Sequence, residues 1–560
     1  MSSPVTDRIN LVYENHAQQS VELPMRLLVL SDLTCDQRSE DASSASIIQL
    51  DSGIDQLMAS LNLSLNFTVE NRLDPNAPTA LLIEMPLNSV EDMNPESLLM
   101  GIPALSSAYE LYRLLGDENV KVSTLISDLG DYGFIADEHT AYHDRLVIQQ
   151  ALHERINEQL NLVIHHDSFV KLESSWRSLH FLYDYLLPKE NMSLSILNVN
   201  KQALMEDFED APDTTQSSLY RLVYSAEFGQ FGGQPYTLMV ADYEFSPSQQ
   251  DVTLLTSLSQ LAAMGHCPIL SAASSKLFGL ERYQDFASIR DVSAHFEQPQ
   301  YTKWNQFRRQ ESSRYVCLTL PKFLLRGQYR IQGQGFEFEE DNTRVGLWGN
   351  SAFALATRFL SSFGQYRWFI NVTGEQFGLI DDIHMHETQT QLGKLIPTEV
   401  LVSDKIANQL VNNGLTPLTI YRKTGKAGFS TIPSCHIVHY EDVDPQSLLN
   451  QTLETQIPYM LISCRFSQYI KVMQRENIGS WLTRSQIDQS INRWLKQYVS
   501  DMDNPAPAVR ARRPLRDAKV LVRDVEGKSG WFVSTITLTP HFKYMGKPFT
   551  LSERGRLEKA

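Results

Sequence analysis

The stretch Asp381-Asp382-Ile383-His384-Met385-His386-Glu387 has the residue types of a metal site. On a strand, His384 and His386 would share one face with Asp382, and imidazole with carboxylate suits zinc or another divalent ion. No neighbour that would orient either ring can be picked out, so a solvated strand edge is the favoured reading. His165-His166 is placed within a helix, where adjacent rings cannot point one way. Asp242 and Glu244 lie two apart after an apolar run. They could act as an acid and a base, but pairing with Lys or Arg is preferred. Ser271, Ser274 and Ser275 follow a strand without the Gly-x-Ser-x-Gly turn that would make a nucleophile of one.

Three glycine-bearing stretches invite a phosphate reading. Phe228-Gly229-Gln230-Phe231-Gly232-Gly233-Gln234-Pro235 lacks a following Lys-Ser/Thr and reads as a turn before a strand. Gly425-Lys426 is followed by Ala427, so the metal-binding hydroxyl is missing. Gly527-Lys528-Ser529 has that hydroxyl, but Val522 stands where the loop's first glycine belongs. No catalytic residue, cofactor or metal is therefore expected, and an ATPase is not supported.

The elements that would position such residues are set by size and charge. With 560 residues, several domains are expected rather than one core. Five scattered cysteines, Cys35, Cys267, Cys317, Cys435 and Cys464, form no CxxC pair, which argues against a disulfide framework or zinc site. No apolar run approaches the ~20 residues of a membrane span, and no signal peptide is visible, so a cytoplasmic protein without direct membrane insertion is expected. Residues 1–120 hold 5 Arg, no Lys and 18 acidic residues, a net −13 of the chain's −17. That acidic balance argues against nucleic acid as a partner.

One basic knot stands against it, Arg510-Ala511-Arg512-Arg513-Pro514-Leu515-Arg516. It has no interleaved aromatics, so acidic protein surface suits it better than nucleic acid, and Arg512, Arg513 and Arg516 are candidates for a polar interface. Two β-type runs follow, 519–525 and 531–539, joined by Glu526-Gly527-Lys528-Ser529-Gly530. Neither alternates cleanly, and an isolated hairpin is marginal in water, so this one needs a sheet to join. The other chain end offers a strand at Ile9–Glu14. Two terminal strand elements without local partners point to pairing between subunits. The candidate residues are Ile9, Leu11 and Tyr13 with Val520, Val522, Trp531, Val533, Ile536 and Leu538.

Between the ends the periodicities alternate. Strands are expected at 27–30, 63–69, 80–85, 192–197, 236–240 and 269–273. Helices are expected from Pro95 toward Gly116, over 146–187 and over 252–264. The order strand, helix, strand across 236–273 predicts a parallel pair. A polar junction at 117–150 carries a short amphipathic helix, Val122–Leu129.

Arg8–Glu14, Glu22–Asp32 and Val69-Glu70-Asn71-Arg72-Leu73 resemble TssB, the small sheath subunit of bacterial type VI secretion systems. One departure is that TssB proteins continue into a longer helical region, whereas here the helix stops near Gly116. A second set resembles TssC, the large sheath subunit. It includes Leu172–Arg177, Ala241–Phe245, Pro268–Ser274, Ser313-Arg314-Tyr315, Leu320–Arg326, Leu347–Asn350 and Pro397-Thr398-Glu399. It continues with Ser463–Phe466, Ile478-Gly479-Ser480 and Arg512–Arg516 with Pro540-His541-Phe542. These motifs run in the family's order, and the chain resembles a TssB–TssC fusion of two subunits that are ordinarily separate.

The resemblance implies an α+β or mixed α/β, contractile tail-sheath-like fold with intersubunit β-sheet augmentation. It implies a TssB-like module at 1–116, a junction at 117–150 and a TssC-like module at 151–560, ending in a β-hairpin. It further implies a structural protein that self-associates into a helical sheath around an inner Hcp tube, contacts baseplate components and contracts. It implies recycling by a ClpV-type unfoldase through an N-terminal helix of TssC; the positional match is Val122–Leu129, anchored by Leu125, Ile126 and Leu129. The competing readings are a metal-dependent hydrolase at His384 and His386, and an adaptor that does not polymerise.

Overall fold

The structure is a computed structural model. It describes the chain apart from residues 1–10, 15–18, 36–44, 52, 75–77, 118, 121–123, 136–141, 188–189, 332–335, 342–345, 370, 382, 388–394, 422–423, 438–450, 477–483, 501, 503–512, 514, 525–531, 541–550 and 558–560. Ile9, Arg512 and Trp531 fall outside the described residues, and for Val533 only the backbone is described.

The first segment contributes β1 (Tyr13–Glu14), β2 (Ser20–Val21), β3 (Met25–Ser31), β4 (Ile47–Gln49), β5 (Leu63–Glu70) and β6 (Ala80–Leu87). Helices α1 (Pro95–Gly101) and α2 (Pro103–Gly116) follow, then α3 (Ile126–Asp131), α4 (Tyr142–Ile164) and α5 (Asp167–Tyr183). The helix expected from Pro95 to Gly116 is thus two, broken where Pro103 restarts it. The helix expected over 146–187 is likewise two. His165 and His166 lie between them, and His166 Nδ1 caps α5 by accepting from Ser168 N at 3.3 Å. That placement corrects the helical reading of the histidine pair.

The main sheet has eight strands. Beyond β3 and β4 it takes β7 (Met192–Asn198), β8 (Leu238–Phe245), β9 (Ile269–Ala273), β10 (Val316–Leu320), β11 (Leu415–Ile420) and β12 (Ala427–Phe429). The spatial order is β12-β11-β10-β9-β8-β3-β7-β4. The six inner strands are parallel, and β4 and β12 run antiparallel at the edges. The expected parallel β8–β9 pair is present, joined through α6 (Gln249–Gly265). Ser248 caps α6, accepting from Asp251 N at 3.2 Å, and His266 ends it at φ 48°.

β3 is the strand that decides the architecture. Its sequence, Met-Arg-Leu-Leu-Val-Leu-Ser, is buried at every position but Arg26, as a strand covered on both faces must be. Leu27 pairs with Leu194 of β7 on one side and Leu238 of β8 on the other. The first segment, expected as a module of its own at 1–116, therefore threads its most apolar strand through the middle of the other segment's sheet. Trp176 of α5, fully buried, donates its indole N–H to the Leu33 carbonyl just past β3, at 3.1 Å.

Helix α7 (Ser351–Tyr366) covers the sheet, capped by Asn350, which accepts from Ala352 N at 2.9 Å. A second apolar cluster forms from α8 (Ile457–Glu476), α9 (Arg484–Lys496), β13 (Leu515–Asp524) and β14 (Phe532–Pro540). A third strand, β15 (Leu551–Leu557), completes a sheet of order β13-β14-β15. The sequence pattern did not reveal β15.

Candidate assembly surface

The terminal strands are not left without partners. Tyr13 of β1 pairs with Val21 of β2, and Leu11 and Tyr13 are buried in the second cluster. An aromatic box from α8, α9 and the turn after α9 grips the backbone between them. Tyr469 Oη donates to Leu11 O at 2.7 Å and accepts from Leu23 N at 2.9 Å. Tyr498 Oη accepts from Val12 N at 3.0 Å and donates to Val12 O at 2.8 Å, where Trp494 Nε1 also donates at 2.8 Å. Tyr13 Oη donates to Glu476 Oε1 at 2.7 Å. Burial, then this bond and the nearby carboxylate charge, hold the Tyr13 phenol well above its ordinary range, while burial pushes Tyr469 up to about 12. Arg465, itself buried, donates to Pro24 O at 3.0 Å and to Leu23 O.

The C-terminal hairpin also corrects its sequence reading. Val520 pairs with Ile536, and Val520, Val522, Ile536 and Leu538 all point into the second cluster. Alternation is present from Ala518 to Arg523; the exposed Leu521 hides it in sequence. The outer edge of β13 is sealed by side chains. Asn492 of α9 donates to Val520 O at 2.9 Å and accepts from Val520 N at 3.0 Å, as a neighbouring strand would. Asp488 accepts from Val522 N at 3.2 Å, while Leu515 N donates to Tyr498 O at 3.0 Å and Leu515 O accepts from Ser500 N at 2.8 Å. Such cover is how an edge strand is kept from pairing indiscriminately. Arg516 sits at a register shift between Leu515 and Asp517, and Arg513 and Arg516 are exposed.

The junction helix is occupied as well. Leu125 and Leu129 are buried and Ile126 is half-buried. Two arginines of α4 hold the junction's backbone. Arg145 donates to the carbonyls of Leu114 at 2.8 Å and Val120 at 3.0 Å, and to those of Leu115 and Asp117 at 2.5 Å. Arg155 donates to Tyr132 O at 2.7 Å and lies over the Phe134 ring.

A buried polar network joins the first segment to the second. Arg326 forks onto Glu173 at 2.7 and 3.0 Å and reaches Glu340 at 2.8 Å. Glu173 also accepts from Arg177 at 2.8 Å and from the Tyr329 hydroxyl at 3.0 Å; both donors reach Asn94 Oδ1, just before α1, at 3.0 Å. Gln159 of α4 accepts from Arg72 N at 2.7 Å and donates to Glu70 O at 3.0 Å, sealing the end of β5.

The residues weighed for catalysis are satisfied structurally. Asp242 is half-buried, accepts from Ser175 at 2.8 Å and Ser31 at 3.0 Å, and its pKa is raised by desolvation. Glu244 pairs with Lys322 at 2.6 Å, the lysine pairing expected of it. Ser271 donates to Ala241 O and Tyr243 O. These groups lie by a cleft of about 1110 Å³, where opposite charges already face one another. The expected strand around His384 reduces to His386–Glu387, so His384 and His386 do not share a strand face. His386 Nε2 lies 3.0 Å from Thr398 O. Among the described residues, no three His, Cys, Asp or Glu side chains gather as a metal site.

Comparison with known proteins places this geometry. Residues 146–436 match the EvpB/VC_A0108 tail sheath N-terminal domain, residues 446–557 its gpW/gp25-like domain, and residues 2–124 the family described as type VI secretion system VipA, VC_A0107 or Hcp2. The type VI secretion system sheath protein TssC1 of Pseudomonas aeruginosa is 34% identical over 424 residues, covering 73% of this chain and 85% of that protein. The chain belongs to the type VI secretion sheath family. It joins a TssB-type and a TssC-type part in one polypeptide, as a structural sheath subunit with mixed helices and strands. Distant likenesses include the anti-feeding prophage baseplate (10% identity, 69% of this chain, 78% of that chain, TM-score 0.33). The contracted anti-feeding prophage sheath is similarly distant (11%, 68%, 78%, TM-score 0.30). At those scores neither bears on the reading. Among the described residues no helix is long and apolar enough to cross a membrane.

Proposed function

We propose that this chain polymerises into a helical, contractile sheath in the cytoplasm around an inner tube of Hcp, anchored on baseplate components, and does its work by contracting rather than by catalysis. The observation that carries this is the succession of TssB-type and TssC-type matches along one chain. The strand that joins neighbours is best sought at β15. The β13 edge is closed by Asn492 and Asp488, whereas no described strand pairs with the far side of β15. A strand added there would keep copies tethered while their bodies rotate. The buried Leu11, Tyr13, Val520, Val522, Ile536 and Leu538 then shape the sheet from within the protomer, and the intersubunit bonds are main-chain.

Fusion fixes the ratio of the two parts at one to one. It also makes the unfoldase-binding segment internal, with Leu125 and Leu129 covered. Recycling by a ClpV-type unfoldase then requires the junction to leave the Arg145 and Arg155 contacts. Negative-stain imaging of the purified chain tests the main reading: tubes or stacked rings are expected, and dispersed monomers under all assembly conditions would overturn it.

A further inference from the structure

A groove of about 630 Å³ runs between α2, residues 71–74 just past β5, and the junction helix α3. Its floor is apolar, with Leu73 and Leu111 buried and Leu81 and Leu114 half-buried. Its rim is acidic: Asp74, Glu110, Asp128 and Asp131 line it, and no described Lys or Arg does. Arg155 does not line the groove and donates to the carbonyls of Leu73 and Tyr132. The carboxylates crowd one point. The Tyr132 phenol, first by burial and then by Asp131, Asp74 and Asp128, is held above its ordinary pKa. A trough with an apolar bed and one sign of charge along its rim fits a cationic segment whose side chains have apolar stems.

The densest cationic segment of the chain is Arg510–Arg516, four arginines in seven residues with only Ala511, Pro514 and Leu515 between them. Arg513 and Arg516 are exposed. Leu515 is fully buried in the second cluster, held between Tyr498 and Ser500, whereas the groove's floor belongs to the first cluster. That anchoring favours a groove on another copy. We propose that the acidic groove of one subunit takes the Arg510–Arg516 segment of a neighbouring copy, a contact that rests on the sheath reading. Guanidinium forks would pair with Asp128, Asp131 and Glu110 while arginine stems cover Leu81 and Leu114.

The test uses the full chain and a fluorescent peptide of residues 508–516, followed by anisotropy. The wild-type chain should bind the peptide, and binding should weaken as salt rises from roughly 0.1 to 0.5 M. The triple change Glu110→Gln, Asp128→Asn and Asp131→Asn should weaken binding by about tenfold or more, the loss of one charge-assisted bond or two. A control of equal charge, Asp55→Asn, Glu84→Gln and Glu96→Gln, lies outside the groove and should change it by less than about twofold. These exposed sites make misfolding a poor explanation, and unchanged thermal melting would verify that. No binding by wild type, equal loss in both triples, or no loss in the groove triple each overturns the docking. Imaging separates the two readings. Tubes that form without peptide binding leave the sheath and remove the groove contact, whereas peptide binding by a chain that never forms tubes removes the sheath.

Discussion

The central sheet and the second apolar cluster both unite the two parts of the fusion, but by different means. In the centre, β3 lies between β7 and β8 and exchanges main-chain bonds with both, while Met25, Leu27, Leu28, Val29 and Leu30 are fully buried. Each such side chain contributes about 1.5–3 kcal/mol of burial, so removing this strand would dissolve the core. At the periphery, the backbone of Leu11 and Val12 is held through the hydroxyls of Tyr469 and Tyr498 and the Trp494 indole, and Leu23 and Pro24 through the Arg465 guanidinium. Side-chain contacts of that kind can be released without opening the first cluster. The difference separates a seam built to stay shut from one that can be remade during assembly.

The largest expected effect comes from the closed seam. Val29→Asp places a carboxylate in a fully buried strand of the apolar core, and should leave no folded soluble chain, read by expression and circular dichroism. Glu173→Leu comes next. It leaves Arg326 and Arg177 without their shared carboxylate and should cost roughly 3–5 kcal/mol, measured by denaturant unfolding. A loss below about 1 kcal/mol would mean that water enters this network, and the seam is less closed than its burial implies.

Much of the closed seam was legible in sequence. The run from Leu27 to Leu30 announced a buried strand, and 269–273 reappears as β9 with the same bounds. What sequence could not supply was the partner of β3, because a continuous apolar strand carries no mark of its neighbours. The assembly surface was legible only in part. Leu521 masked the alternation of β13, and β15, Leu-Ser-Glu-Arg-Gly-Arg-Leu, is too polar to stand out as a strand. The sealing by Asn492 and Gln159 depends on where a single amide on a helix lands, which no local pattern encodes. The signal that could have found the grip on the N-terminal segment is Tyr469, Trp494 and Tyr498, polar-tipped aromatics on two late helices and the turn that follows, which needed buried acceptors.

Asn492→Leu probes the remade seam at intermediate strength. It strips two bonds from Val520 and should cost about 1–3 kcal/mol if both groups stay dry. It also uncovers the β13 edge, so irregular aggregates should increase under conditions where wild type forms ordered tubes. Ordered tubes at wild-type stability would show that this amide neither protects the edge nor holds the sheet.

Tyr13→Phe should have the smallest effect and sharpens the comparison furthest. The ring stays in its buried place against Tyr469, and only the hydroxyl that meets Glu476 is lost. A bond to a charged group contributes about 1.5–3 kcal/mol, but this one lies near the surface, where water can replace it, so about 1 kcal/mol is expected. Hydrogen exchange locates that cost. Faster exchange should be confined to residues 11–23, α9 and β13, with β3 and β8 unchanged, because the central strands take none of their bonds from Tyr13. If exchange in β3 rises equally, the two seams open as one cooperative unit, and the N-terminal segment could not change partners without unfolding the core.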